Sequence, residues 1–222
     1  NNITSTNYAG AYLESSSNYN TFSNNTITST NSYGTRLYYS SSNTFSNNSI
    51  IANYDGAYLY YSSSNTFSNN NITSDSVSIY LDTSYYNNFT ANEIISISDT
   101  GINLLESGYN IFDYNNMTCG PNQCVYLESN SENNLVQFNK IISFYSDAVT
   151  LGNSNNNTIH NNTILGNYSG NGIYVSESNY TIVSNNTIYN VNDAIYFAGS
   201  SYGLVENNTI YDTDGDGISF RF

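Results

Sequence analysis

Few side chains in this sequence could do chemistry. Its 222 residues include 17 Asp+Glu, 3 Lys+Arg and 1 His, which give a formal net charge of -14 at pH 7. A site that cleaves sugars needs two carboxylates acting as acid and base, and a copper site needs clustered His, Met or Cys. The scarcity of basic residues excludes nucleic acid as a partner, because that partner requires a basic patch.

The basic residues and the histidine do not converge. Arg36, Lys140 and Arg221 are separated by about four copies of an internal repeat, or nearly 20 Å if each copy advances by about 4.8 Å, the spacing of neighbouring strands. His160 shares its position in the repeat only with Glu206, two copies away. We therefore predict no catalytic or cofactor-binding residue and a protein that is not an enzyme.

One acidic motif lies near the C-terminus. Asp212, Asp214 and Asp216 have the spacing D-x-D-x-D-G, which resembles the first half of a calcium loop. The glutamate expected at the twelfth position of such a loop would fall beyond Phe222, and Asp55 occupies the same turn of an earlier copy. Two alternatives follow: calcium is a cofactor bound by these aspartates, or the segment is an ordinary acidic turn.

The two cysteines indicate the compartment. Cys119 and Cys124 bracket a turn-forming stretch, Gly-Pro-Asn-Gln, that can close into a small disulfide loop. Disulfides persist in oxidising compartments, so we predict an extracellular or cell-surface location. No window approaches about 18 consecutive apolar residues, so we predict no membrane span.

An internal repeat supplies the elements that must position these residues. The segment from Tyr38 to Asn48 recurs unchanged from Tyr60 to Asn70, a shift of 22 residues, and in looser form the repeat has a mean period of about 23 residues. Its anchor column is Ile3, Ile27, Ile50, Ile72, Ile94, Met117, Ile141, Ile164, Ile188 and Ile210. A second column is Leu13, Leu37, Leu59, Leu81, Leu104, Leu127, Leu151, Val175, Phe197 and Phe220. A third column is Phe22, Phe45, Phe67, Phe89, Phe112, Val136, Ile159, Val183 and Val205.

The repeat predicts an all-β fold. Apolar and polar residues alternate within each copy, which is the period of a β-strand, and no stretch has helical spacing. About three short strands per copy, separated by Asn, Gly, Asp and Ser turns, predict one solenoid over residues 1–222, a single-stranded parallel β-helix of nearly ten rungs. Since neither end resembles a cap, we expect a fragment of a longer solenoid or a unit that stacks end to end.

An asparagine stands two residues before every anchor. These residues are Asn1, Asn25, Asn48, Asn70, Asn92, Asn115, Asn139, Asn162, Asn186 and Asn208. They share the parity of the anchor, so we predict that they point inward at a turn, where each amide can donate to one rung and accept from another. Such a ladder is structural, because asparagine also tolerates the left-handed backbone of tight turns.

Units of the form Ser-Ser-Asn-Thr-Phe-Ser-Asn-Asn resemble the repeats of NosD-like and related secreted or surface proteins. The resemblance spans nearly the whole chain and implies a right-handed parallel β-helix, a fold shared with pectate lyases and polygalacturonases. It also implies an accessory role in maturing a copper enzyme. One His, one Met and two Cys do not supply the ligand cluster that copper needs.

The outer surface carries two regular features. Acceptor sequences N-x-S/T one or three residues before an anchor predict covalent glycans at Asn2, Asn24, Asn47, Asn71, Asn116, Asn161, Asn185 and Asn207. Tyrosines immediately before the second column predict a surface aromatic ladder of Tyr12, Tyr58, Tyr80, Tyr126, Tyr174 and Tyr196. Such a ladder can stack on sugar rings or on a neighbouring solenoid, or it can serve strand propensity and cross-rung stacking alone.

These observations favour a non-enzymatic, extracellular structural protein. We predict a glycosylated subunit of a surface filament, adhesin or cell-envelope layer that associates with itself end to end or laterally. The alternative is a carbohydrate-binding or carbohydrate-processing β-helix whose ligand lies on the exposed tyrosines.

Overall fold

The computed structural model describes residues 1–221, which form a right-handed parallel β-helix of about ten rungs. Three parallel sheets run along it, two with ten strands and one with nine. This confirms the predicted fold class and period. Among the described residues there is no helix long and apolar enough to cross a membrane.

Each rung contributes one strand to sheet A, then to sheet B, then to sheet C. Sheet A contains β1 (Asn2–Ser5), β4 (Thr26–Ser29), β7 (Ser49–Ala52), β10 (Asn71–Ser74), β13 (Glu93–Ser96), β16 (Asn116–Cys119), β19 (Lys140–Ser143), β22 (Thr163–Leu165), β25 (Thr187–Val191) and β28 (Thr209–Thr213). Sheet B contains β2 (Ala11–Glu14), β5 (Thr35–Tyr38), β8 (Ala57–Tyr60), β11 (Ile79–Asp82), β14 (Ile102–Leu105), β17 (Val125–Glu128), β20 (Val149–Gly152), β23 (Ile173–Ser176), β26 (Ile195–Ala198) and β29 (Ile218–Arg221). Sheet C contains β3 (Thr21–Ser23), β6 (Thr44–Ser46), β9 (Thr66–Ser68), β12 (Asn88–Thr90), β15 (Ile111–Asp113), β18 (Leu135–Gln137), β21 (Thr158–His160), β24 (Ile182–Ser184) and β27 (Leu204–Glu206).

The core consists of the three apolar columns, one for each sheet. Equivalent residues pair in register, as Ile27 with Ile50 in sheet A and Leu37 with Leu59 in sheet B. In sheet C the stacked rings of Phe45 and Phe67 have centroids 4.6 Å apart. Each such side chain is fully buried, which stabilises the fold by roughly 1.5–3 kcal/mol per residue.

The predicted asparagine ladder lies at the turn from sheet C to sheet A and is confirmed. Asn92 is typical: its Oδ1 accepts from the backbone N–H and the amide of Asn70, while its own amide donates to Asn115 Oδ1 and to the carbonyl of Phe67. The amides from Asn25 to Asn186 in this column are buried. The ladder therefore satisfies polar groups that the narrow solenoid would otherwise leave unpaired.

A second asparagine ladder, which the sequence analysis missed, lies at the turn from sheet B to sheet C. Its members are Asn20, Asn43, Asn65, Asn87, Asn110, Asn134 and Asn157, each two residues before the third apolar column. Asn65 shows the pattern, since its Oδ1 accepts from the backbone N–H of Asn43 at 2.8 Å. A column of buried serines lies at the same turn, and its hydroxyl oxygens accept from backbone N–H groups of the neighbouring rung, as Ser62 Oγ accepts from the Ser40 N–H. The signal was present as a recurring Ser-x-x-Asn.

The predicted disulfide is present. Cys119 ends a strand of sheet A, Cys124 precedes the next strand of sheet B, and their Cα atoms are 5.3 Å apart. Two rungs earlier the same two positions carry Ser74 and Ser78, whose hydroxyl oxygens lie 3.0 Å apart in a hydrogen bond. The disulfide thus replaces a polar contact between the two sheets.

Candidate functional site

The outer face of sheet B, called the tyrosine face below, carries two outward positions on every strand. The first position holds Tyr12, Arg36, Tyr58, Tyr80, Asn103, Tyr126, Thr150, Tyr174, Tyr196 and Ser219. The second holds Glu14, Tyr38, Tyr60, Asp82, Leu105, Glu128, Gly152, Ser176, Ala198 and Arg221. All six predicted ladder tyrosines lie at the first position, although five are half-buried and only Tyr12, at 47%, is exposed.

Arg36 occupies the first position of the second rung, between Tyr12 and Tyr58. Its Cζ atom lies 5.3 Å from the ring centroids of Tyr12 and Tyr33, 5.6 Å from that of Tyr38 and 5.9 Å from that of Tyr58. Distances within about 6 Å are those of cation–π attraction. We call these five residues the Arg36 cluster; Tyr33 comes from the turn before the strand, and sequence spacing did not place it here.

Further rings continue the aromatic surface through the next two rungs. Tyr33 stacks on Tyr58 at 5.1 Å, and Tyr38 stacks on Tyr60 at 5.1 Å. Tyr58 and Tyr80 follow at 5.4 Å in a tilted arrangement. The first four rungs of the face therefore present a nearly continuous surface of rings and hydroxyl groups, the combination that stacks on and hydrogen-bonds to a sugar.

Burial changes the acidity of these phenols. Desolvation, with the nearby charge of Asp82, raises the pKa of Tyr80 to about 12 and raises the pKa of Tyr58 further. Arg36 acts in the opposite direction on Tyr58 but does not offset the burial. Both hydroxyls therefore remain protonated at neutral pH and act as donors rather than as bases.

Three carboxylates border the rings at the second outward position. Glu14 Oε2 accepts a hydrogen bond of 2.8 Å from the Tyr12 hydroxyl, and Asp82 Oδ1 accepts one of 2.9 Å from Thr83. Asp82 and Glu128 lie two rungs apart, which is roughly 9.6 Å between strands. Carboxylates in this position can accept hydrogen bonds from sugar hydroxyls, and they repel an anionic ligand.

His160 lies apart from this face, on the outside of sheet C. Its Nδ1 is 2.8 Å from Ser184 Oγ and its Nε2 is 2.6 Å from Asn161 Nδ2. Ser184 is 3% exposed. The ring is therefore held in a local hydrogen-bond network.

The structure does not gather the predicted calcium ligands. Asp214 and Asp216 are exposed and hydrogen-bond to the preceding rung through their backbone N–H groups, to the Val191 carbonyl and to Asp193 Oδ1. No group of three or more His, Cys, Asp or Glu side chains that could hold a metal occurs within residues 1–221. The segment forms an acidic turn here.

The predicted glycosylation sites all lie on the outside of the solenoid. Asn2, Asn71 and Asn116 are exposed on sheet A, whereas Asn24, Asn47, Asn161, Asn185 and Asn207 occupy the left-handed position of the turn into sheet A. Asn161 is the only half-buried member of this set. Glycans at these sites stay a prediction.

Two family profiles match the chain. One, described as the right-handed beta helix region, matches residues 1–117, and the other, described as the periplasmic copper-binding protein NosD, matches residues 92–221. A search of curated proteins finds no match.

The residues present do not fit a copper site. Met117 is fully buried in the core, both cysteines are joined in the disulfide, and His160 binds its neighbours with both ring nitrogens. Since the described part of the chain offers no cluster of soft ligands, we derive no chemistry from copper.

Several solved structures that share this fold are carbohydrate-active enzymes. A mutant of the periplasmic alginate epimerase AlgG has a TM-score of 0.66 at 14% identity, over 98% of this chain and 73% of that one. The mannuronan C-5 epimerase AlgE4 A-module of Azotobacter vinelandii has a TM-score of 0.68 at 14% identity. The match covers 87% of this chain and 62% of that module, so this chain spans less than two thirds of the module. An alginate lyase from Paenibacillus has a TM-score of 0.70 at 10% identity, over 99% of this chain and 91% of the lyase.

These neighbours contradict one expectation and leave another without support. At such identities the likeness establishes the fold, and in each of these structures that fold belongs to an enzyme acting on a polysaccharide. Our prediction that the chain is not an enzyme is contradicted by this finding. The prediction of a structural surface filament finds no support, and the alternative that we kept, a carbohydrate-binding or carbohydrate-processing β-helix, is favoured.

Proposed function

This chain belongs to the right-handed β-helix family and to the NosD family, and we propose that it binds and processes carbohydrate on the tyrosine face of sheet B. The observation that carries the proposal is the continuous aromatic surface of the first four rungs, in which the Arg36 cluster meets Tyr60 and Tyr80. The solved enzymes on the same fold add support.

The face has the chemistry of a sugar site. Ring faces bind the apolar side of a pyranose, and protonated hydroxyls together with carboxylates bind its polar rim. The half-buried ring of Tyr58 is held between Tyr33 and Tyr80, so little side-chain freedom is lost on binding. An extended polymer can lie along the solenoid because the rungs repeat in register.

The NosD description is that of a periplasmic protein. With the disulfide between Cys119 and Cys124, it supports a secreted or periplasmic location for this chain, where polysaccharides are met.

The proposal is tested by screening the purified protein against immobilised polysaccharides, both neutral and acidic. We expect saturable binding to at least one polymer, and Tyr58→Ala or Tyr80→Ala to weaken it by about tenfold, the worth of one aromatic contact. Incubation with that polymer, followed by product analysis for new reducing ends, unsaturated ends or epimerised residues, tests processing. A flat response across the whole panel would contradict the proposal.

A further inference from the structure

Arg36 breaks the regularity of the tyrosine face. It is the one cation at the first outward position, where six other rungs carry tyrosine. Four rings lie within 6 Å of its guanidinium carbon. Cation–π contacts satisfy the faces of a guanidinium, but its N–H donors lie in its plane and still need acceptors.

One of those donors is left without a partner. Arg36 Nε is buried and has no hydrogen-bond acceptor within residues 1–221. Glu14 on the adjacent strand accepts a hydrogen bond from the Tyr12 hydroxyl through Oε2 and none from Arg36 Nε. A buried donor without an acceptor is rare in folded proteins, so the fold leaves part of the hydrogen-bonding capacity of Arg36 unused.

A cavity of about 110 Å³ opens beside the Arg36 side chain. Its lining residues are Tyr8, Ala9, Tyr12, Ser32, Tyr33 and Arg36. The volume exceeds the roughly 10–15 Å³ that one water needs, and the lining offers a guanidinium and hydroxyl groups but no carboxylate. Such a lining suits a planar anion, because a guanidinium fork matches two carboxylate oxygens.

We propose that this cavity binds the carboxylate of a single acidic sugar residue of a glycan. The sugar residues of that glycan that lie further along the tyrosine face are neutral. Glu14 binds the hydroxyl of the cavity-lining Tyr12 but does not itself line the cavity. The second half of the inference comes from the next rungs, where Asp82 and Glu128 border the rings and would repel further carboxylates. The proposal rests on the proposed function, whose site it extends to a class of substrate: a largely neutral glycan with an isolated uronate.

The experiment compares three probes by calorimetric titration of the intact protein. They are a glucuronate-substituted xylo-oligosaccharide, the same compound with its carboxyl reduced to an alcohol, and an oligogalacturonate of equal length. We expect the single-uronate probe to bind roughly tenfold to a hundredfold more tightly than its reduced form, the worth of a hydrogen bond to a charged group. The oligogalacturonate should bind less tightly than the single-uronate probe.

Variants locate the effect. Arg36→Gln should abolish the difference between the uronate probe and its reduced form. Arg221→Gln, which removes a cation 5.3 Å above Tyr196 at the far end of the same sheet, should leave that difference unchanged. Thermal melts establish that both variants fold, and the comparison of probes on the unaltered protein needs no variant.

The outcomes separate this inference from the proposed function. Equal binding of the uronate probe and its reduced form, with both weakened by Tyr58→Ala, would overturn the acidic subsite and leave the carbohydrate site standing. Tightest binding by the oligogalacturonate would overturn the neutral continuation. No binding of any probe, together with a flat response to the polysaccharide panel, would remove both.

Discussion

The N-terminal and C-terminal halves of sheet B share one interior and carry different exteriors. Inside, Leu37 and Leu59 are buried in one half as Leu151 and Val175 are in the other. Outside, the early rungs present Arg36 among four tyrosine rings, whereas the late rungs present small residues at the second position. Those small residues are Gly152, Ser176 and Ala198. The difference teaches that the interior specifies the solenoid and the exterior is free to specialise, so function is expected where the exterior departs from its own repeat.

The largest expected effect tests the claim that the interior is common to both halves. Asn92→Ala and Asn162→Ala each remove a buried amide and leave partners such as the Asn70 N–H and the Phe67 carbonyl unpaired. We expect each variant to lose about 4 kcal/mol of unfolding free energy, because two buried polar groups lose their bonds. Urea denaturation measures the loss, with exposed Asn71→Ala as control. Unequal losses in the two halves would contradict a common interior.

A smaller effect comes from the turns that precede the strands of sheet B. Asp55 lies in the turn before β8, the strand that carries Tyr58, and its Oδ1 accepts a hydrogen bond from the Val77 N–H. Burial, together with the charge of Asp99, raises the pKa of Asp55 to about 6. Because the pKa of Asp55 is raised on folding, the free energy of unfolding is highest, as far as this group is concerned, below about pH 3.8, and it falls as the pH rises through 6. The loss amounts to up to about 3 kcal/mol.

Asp55→Asn should remove this loss. One late turn already uses an amide in the equivalent place, since Asn171 Oδ1 accepts from the Asp193 N–H. The turn one rung before it has a carboxyl there, Asp147, whose pKa is also raised by burial. We expect the variant to match the unaltered protein at pH 4 and to melt at a higher temperature at pH 8, with Asp75→Asn as the exposed control. A melting profile whose pH dependence is the same with and without Asp55 would show that this carboxyl is not destabilised by burial.

The disulfide gives a third, intermediate effect at the junction of the halves. Replacing Cys119 and Cys124 by serine copies the hydrogen-bonded pair of Ser74 and Ser78, but it releases a short loop in the unfolded chain. We expect a loss of about 2 kcal/mol from the entropy of that loop. Chemical denaturation measures it, and carbohydrate binding at Tyr58 should be unchanged. A loss of binding would mean that the two halves are coupled through the disulfide.

The sequence predicted the interior more completely than the site. The columns of Ile, Leu, Phe and Asn recur with a fixed period, so their common environment could be inferred from alternation alone. The second asparagine ladder was missed although Asn43 and Asn65 have the same spacing to the phenylalanine column. It could have been found by searching for polar columns at each turn.

The Arg36 cluster could not be inferred in the same way. Arg36 interrupts a column rather than continuing one, and its place in the sequence shows only how far it lies from the other basic residues. Tyr33 reaches it from a turn whose length varies between rungs, so no fixed spacing links the two. Periodicity describes what repeats, and the candidate site consists of what does not.

The central claim is that the early rungs of the tyrosine face bind carbohydrate and the late rungs do not. Calorimetric titration of the polysaccharide found in the panel, against Tyr58→Ala and Tyr80→Ala on one side and Tyr174→Ala and Tyr196→Ala on the other, tests it most directly. We predict that each early substitution weakens binding by about 1 kcal/mol or more, the worth of an aromatic contact, and that each late one leaves it unchanged. Equal weakening by both pairs, or by neither, would contradict the claim.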